Sequence, residues 1–137
     1  MRGHIDALKA LLAPLGREVY YGAAPASPTL PYILLWSSSG RPGVEVGIDG
    51  VRADIDDQIG LTAVAATPTA VLALQRSARA ILSPAGAPLD VEVAGWDSVL
   101  TLDDSRPIAV DTDVTIASSG SHPAYGVDVY RLRATPV

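Results

Sequence analysis

The stretch GLTAVAATPTAVLALQRSARAIL, residues 60–82, carries the strongest local structure signals of the chain. Its first part, together with Gln58 and Ile59, predicts a strand over residues 58–66. Thr67 followed by Pro68 is typical of a helix start, because the threonine hydroxyl caps free amides and proline lacks an amide that the first turn would leave unpaired. We therefore expect a strand that leads directly into a helix.

The predicted helix has two unlike arcs at about 100° per residue. The apolar arc contains Val71, Leu74, Ala78, Ile81 and Leu82, and the polar arc contains Thr69, Gln75, Arg76 and Arg79. Leu72 falls inside the polar arc. A single exposed leucine is normal. The alternative is an intersubunit contact rimmed by arginines, because arginine is enriched in protein interfaces and lysine is depleted. The sequence leaves both interpretations open.

The remaining patterns predict a second helix and several strands. Ile5, Leu8, Leu12 and Leu15 recur at helical spacing. That helix should stop near Ala13, because Pro14 disfavours helical angles before it and Gly16 suits a left-handed turn. Strands are expected over residues 17–22, 30–38, 89–93, 98–104, 108–118 and 125–134.

The first two of these strands read as an antiparallel pair. Continuous apolarity from Tyr32 to Trp36 predicts a strand covered on both faces, by helices on one and by something else on the other. We therefore predict a single α+β domain over residues 1–137, with one mixed or antiparallel sheet. The N-terminal helix and one central helix pack on that sheet.

Residues 37–57, SSSGRPGVEVGIDGVRADIDD, change in character toward glycine, serine and acidic residues. Val44, Val46 and Ile48 alternate with other residues, and Asp49–Gly50 is a favoured hairpin turn. This segment predicts a long, mobile β-arm or hairpin.

Composition excludes several classes of function. Hydrophobic residues make up 48% of the chain without any phenylalanine, which predicts an aliphatic core. The absence of cysteine excludes thiol catalysis, disulfides and thiolate metal sites. A net charge of −5 repels phosphate and disfavours nucleic-acid binding. No signal peptide or membrane span is expected, because no apolar run is long enough.

The residues that could carry chemistry form no recognisable catalytic pattern. His4 and His122 have no metal-binding spacing and are expected to be exposed. Ser119 near His122 is a turn composition, and no GxSxG, GxGxxG or phosphate-binding loop motif occurs. The sequence therefore predicts no catalytic residue and no cofactor.

Paired aspartates are the best candidates for cation ligands. Asp54 and Asp56 would share one strand face, as would Asp111 and Asp113. The spacing of a calcium-binding loop is missing. A solvated acidic face is the favoured interpretation, so no metal site is predicted.

The order VYYGAAP, LPYILL, a polar arm, GLTAVAATPTAVLALQRSARAIL and VDVYRLRA resembles the tail terminator, or tail completion, proteins of long-tailed bacteriophages. Residues in matching places are Val19, Tyr20, Pro31, Tyr32, Val64, Ala65, Thr67, Ala70, Leu74, Arg79 and Leu82. The resemblance covers most of the chain, and residues 96–122 match no part of the pattern.

The resemblance implies a virion structural protein without enzymatic activity. Such a protein forms a hexameric ring on the last ring of the tail tube, stops polymerisation and offers its other face to the head. Its partners would be further copies of itself, the major tail tube protein and a head–tail connector protein, with DNA only as cargo passing through the lumen. It would assemble in the host cytoplasm and lie at the head-proximal end of the tail.

Candidate contacts for the ring or the tube come from the polar arc and the arm. They are Leu72, Gln75, Arg76, Arg79, Val44, Val46, Ile48 and Arg52. Another head–tail connector or neck protein is an alternative. A small-ligand-binding α+β module or a hydrolase is a more distant one, and it would need a deep pocket with convergent polar groups.

Overall fold

The computed structural model describes residues 2–38 and 54–137. Its helices are α1 (Arg2–Leu12) and α2 (Pro68–Leu82), and its strands are β1 (Glu18–Tyr21), β2 (Tyr32–Ser37), β3 (Ile55–Ala65), β4 (Leu89–Asp90), β5 (Trp96–Ser105), β6 (Ala109–Val110) and β7 (Ala124–Pro136). The strands form one mixed sheet in the order β1-β2-β3-β7-β5-β4, with β6 also paired to β7. The predicted α+β class is confirmed, with both helices on this sheet.

Helix α1 ends where its sequence predicts. Ile5, Leu8 and Leu12 are buried, so the apolar stripe packs into the core. A 3₁₀ turn over Ala13–Leu15 follows, and Gly16 closes it at a φ of 68°. Residues with a side chain rarely adopt this left-handed geometry, which explains the glycine.

Helix α2 is capped by Thr67, whose Oγ1 accepts a hydrogen bond from the amide of Ala70 at 3.1 Å. Pro68 is the first helical residue. Buried residues of the predicted apolar arc are Val71, Leu74, Ala78 and Leu82. The cap contributes about 1 kcal/mol to stability, and the apolar arc fixes which side of the helix meets the sheet.

The sheet has one face under the helices, called here the helix face, and an opposite open face. Ile33 and Leu35 of β2 are fully buried on the helix face. Tyr32, Leu34 and Trp36 point the other way and are only partly buried. The expected cover by helices is found on the helix face, but the expectation of cover on both faces is wrong for the open face, where the side chains stay partly exposed.

Strands β1 and β2 are parallel, with Glu18 opposite Tyr32 and Tyr21 opposite Leu35. The expected antiparallel pair is therefore wrong. A hairpin needs a tight turn, whereas residues 22–31 contain three prolines, which favour extended backbone. This connection carries the chain back along β1, so β2 starts beside the first residue of β1.

The later strands agree with the sequence in part. Strands β5 and β7 include the predicted residues 98–104 and 125–134. Only Ala109 and Val110 of the predicted strand over residues 108–118 are extended in the sheet, and turns and bends follow. The segment 89–93 is also mostly outside the sheet, because only Leu89 and Asp90 form β4.

The predicted arm of residues 37–57 is described only at its ends. Ser37 belongs to β2, and Ile55 begins β3, which runs antiparallel to β2. The middle of the arm lies outside the described residues, with the candidate contacts Val44, Val46, Ile48 and Arg52.

Candidate functional site

An exposed patch lies on the outer side of α2. Leu72 is 36% exposed and Arg76 is also exposed. Arg76 forms no ion pair with any residue in the described ranges. We call Leu72 and Arg76 the α2 patch. The sequence placed both residues on the polar arc, and the structure leaves both of them accessible.

Gln75 does not belong to this exposed surface. It is only 3% exposed, and its side chain lies over Gly126 of β7, where a methyl group would overlap it. Its Nε2 has no hydrogen-bond partner among the described residues. Its assignment to the polar arc is therefore wrong, because the missing side chain of Gly126 makes room for a glutamine under the helix.

Arg79 bonds to residues of its own chain and does not form an open contact surface. Its Nε and Nη2 donate to the two carboxylate oxygens of Asp128 in β7, each at 2.7 Å. The Asp128 side chain is completely buried, while that of Arg79 is 33% exposed. Ser105 Oγ donates to Asp128 at 2.7 Å and accepts from Arg79 at 2.7 Å. The hydrogen bond to Asp128 raises the pKa of Arg79.

A groove of about 920 Å³ crosses the open face of the sheet. Its floor is formed by side chains of three neighbouring strands: Tyr32, Leu34, Thr62, Val64 and Tyr125. Segments from residues 25–30 and 111–118 form its sides. We call this site the groove, and its lining is mostly apolar.

Asp111 is the only carboxylate among the described residues that line the groove. Its Oδ1 accepts a hydrogen bond from the amide of Asp113 at 3.1 Å. Burial raises the pKa of Tyr32, and the neighbouring Tyr20 and Asp111 add to this effect. The described lining of the groove thus combines an apolar floor with the carboxylate of Asp111. The sequence did not predict this groove, because residues 108–118 read as a strand.

His4 is buried, contrary to expectation. Its Nε2 lies 2.9 Å from Ser98 Oγ of β5, and its ring meets Trp96 edge to face at 5.3 Å between centroids. Burial lowers the pKa of His4. Ser98, which is far from residue 4 in the sequence, provides a hydrogen-bond partner for the buried imidazole. No local pattern around residue 4 could predict this contact.

His122 is exposed, as expected, and its Nδ1 lies 2.6 Å from the carbonyl oxygen of Val114. Ser119 Oγ lies 2.7 Å from Ser121 Oγ. Within the described residues no hydrogen bond joins Ser119 to His122. This turn therefore lacks the nucleophile–base contact that serine hydrolases use.

The aspartate pairs do not form a cation site in the part of the chain described. Asp56 accepts two hydrogen bonds from Arg131, at 2.7 and 2.6 Å, and Asp111 closes a turn with Asp113. No group of three histidine, aspartate or glutamate side chains there could hold a metal ion.

Neither described helix is both long and apolar enough to cross a membrane. No protein-family model matches the chain, and no curated protein matches it either. Its function is therefore inferred from its own residues and their geometry.

Proposed function

We propose that this protein is the subunit of a hexameric ring that caps the tail tube of a long-tailed bacteriophage and joins the tail to the head. The observation that carries the proposal is a pair of unlike open surfaces on opposite sides of one sheet. The α2 patch lies on the helix side, and the groove lies on the open face. Unlike surfaces on one subunit allow head-to-tail association, which forms a ring where the rotation between subunits closes.

The resemblance to tail terminators supports the same proposal. Two of its matching residues have clear structural roles, since Thr67 caps α2 and Arg79 anchors that helix to Asp128. Two others, Tyr20 and Tyr32, lie side by side with ring centroids 5.7 Å apart. The matching residues thus contribute to the fold and to the open face that a ring subunit would use.

Such a ring would act by capping a surface. One face of the ring would copy the contact that each tube ring offers the next, while the other face could not continue the tube. The partners would be the major tail tube protein and a head–tail connector protein. A net charge of −5 suits a lumen through which DNA slides, because it repels the phosphate backbone.

Electron microscopy and light scattering of the purified protein test this proposal. We expect hexameric rings at high protein concentration or when tube protein is added, and binding to the ends of assembled tubes. Rings that bind portal-side proteins but not tubes would indicate another connector protein. A strict monomer that neither binds tube ends nor limits tail length would contradict the proposal.

The groove favours a second candidate, a module that binds a small apolar cation. Its volume of about 920 Å³ and the carboxylate of Asp111 fit such a ligand. Ligand binding would raise the melting temperature of the wild type and not of Asp111→Asn, with no change in molecular mass. Ring assembly predicts a change in mass instead.

A further inference from the structure

The outer side of α2 carries two large exposed side chains, those of Leu72 and Arg76. Its other exposed residues are small or short: Pro68, Thr69, Ala70, Ala73, Ser77 and Ala80. Leu72 and Arg76 are one helical turn apart, so an apolar side chain and a positively charged one lie side by side. Small neighbours let another surface approach the helix closely.

The groove has the complementary features. Its floor is apolar, with Leu34 and Val64 among its side chains, and Asp111 supplies the one carboxylate among the described lining residues. Neither Asp111 nor Arg76 forms an ion pair with another side chain of the described ranges. These two opposite charges, each next to apolar surface, are complementary in sign and in surroundings.

We propose that the α2 patch of one copy enters the groove of the next copy, so that Leu72 covers the apolar floor and Arg76 pairs with Asp111. This inference rests on the proposed ring function and names the contact that closes the ring. The occupant of the groove is thus a second copy of the chain.

The placement of the two surfaces dictates the kind of assembly. The α2 patch projects from the helix layer, whereas the groove opens on the opposite face of the sheet. The contact therefore joins unlike surfaces and leaves one free patch and one free groove at the ends of any open chain. Copies joined in this way form a ring where the rotation between them closes and a filament where it does not, so the proposed ring requires closure.

A charge exchange provides the first test. Arg76→Glu and Asp111→Arg should each raise the protein concentration needed for half-assembly by roughly tenfold or more. The double variant should recover most of this loss, because the pair is restored with reversed sign. Ser77→Glu is the control, since it introduces the same glutamate side chain at an exposed α2 position on the other edge of the outer side.

Complementation between two defective variants provides the second test. Leu72→Asp keeps an intact groove, and Val114→Lys keeps an intact α2 patch. Val114 lines the groove at 47% exposure, and Val110→Lys is its control because Val110 is 48% exposed outside the groove lining. Each defective variant should be monomeric alone, and their mixture should form a heterodimer and nothing larger.

Melting temperatures establish that each variant is folded, and Thr115→Lys, at another exposed groove position, replaces Val114→Lys if that variant is not. Rings formed by the wild type and equally by Leu72→Asp or Val114→Lys would overturn the proposed contact and leave the ring function intact. Normal rings that no longer bind tubes would likewise overturn it, because the groove or patch would then serve the tube protein. A wild type that stays monomeric both alone and with tube protein, and that does not bind tube ends, would overturn both proposals.

Discussion

At the scale of single residues, the most consequential contact is the ion pair between Arg79 and the buried Asp128. Arg79→Ala would leave the carboxylate with Ser105 as its only other hydrogen-bonding side chain among the described residues. An unpaired buried charge is costly, so we expect the free energy of unfolding to fall by about 3 kcal/mol. Urea unfolding of the monomer measures this loss.

Arg76→Ala is the matched control for that measurement. Arg76 lies on the same helix, is exposed and has no ion pair within the described chain. Its removal should change stability by no more than about 0.5 kcal/mol. Equal losses in the two variants would show that the pair with Asp128 does not hold α2 on the sheet.

Because His4 is buried, the stability of the folded protein should depend on pH. Burial lowers its pKa in the folded protein below the ordinary value of 6.5, so the unfolded chain binds the proton more readily. The contribution of His4 is therefore fully present above pH 6.5 and is lost as the pH falls below it. We expect the melting temperature to fall between about pH 7 and about pH 5, and His4→Gln to remove part of that fall.

The matched control for His4 is His122→Gln, because His122 is the exposed histidine of the chain. This variant should keep the pH dependence of the wild type. A pH profile that is identical in the wild type and in His4→Gln would contradict the role of burial.

At the scale of elements, the contact between β2 and β3 depends on a missing side chain. Trp36 of β2 lies opposite Gly60 of β3, and a methyl group on Gly60 would overlap the indole ring. Gly60→Ala should displace the ring, lower stability by roughly 1–3 kcal/mol and shift the tryptophan fluorescence. Unfolding curves followed by fluorescence and by circular dichroism check both effects.

Gly3→Ala serves as the comparison for that change. A methyl group on Gly3 would lie 3.4 Å from Val93 Cγ1, an ordinary contact, and alanine favours a helix by about 1 kcal/mol over glycine. This variant should be neutral or slightly more stable than the wild type. If Gly60→Ala did not lower stability, Trp36 would be able to move off the strand without a loss of stability.

At the scale of the whole molecule, assembly should couple to stability. Association stabilises only the folded protein, so the melting temperature of the wild type should rise with protein concentration. Leu72→Asp should keep the stability of the monomer and lose this dependence, because Leu72 is on the surface and not in the core. Calorimetry over a wide range of concentration measures both quantities, and an unfolded Leu72→Asp monomer would place the residue in the core.

The sequence by itself determined the features that depend on neighbouring residues. The Thr67 cap, the apolar arc of α2 and the end of α1 near Gly16 were all predicted from local spacing and backbone preference. The long strands β3, β5 and β7 were predicted as well, and with the helices they gave the α+β class. Each of these features depends on residues that are close together in the sequence, so a short stretch of chain is enough to predict it.

Only the tertiary structure decided the features that depend on residues far apart in the chain. Gln75 is buried because Gly126 leaves space, Arg79 is held by Asp128, and His4 is satisfied by Ser98. The parallel pairing of β1 and the groove likewise follow from how distant segments meet. Periodicity specifies which side of an element is apolar, whereas the partner it packs against determines which polar groups can be buried and which surfaces stay open.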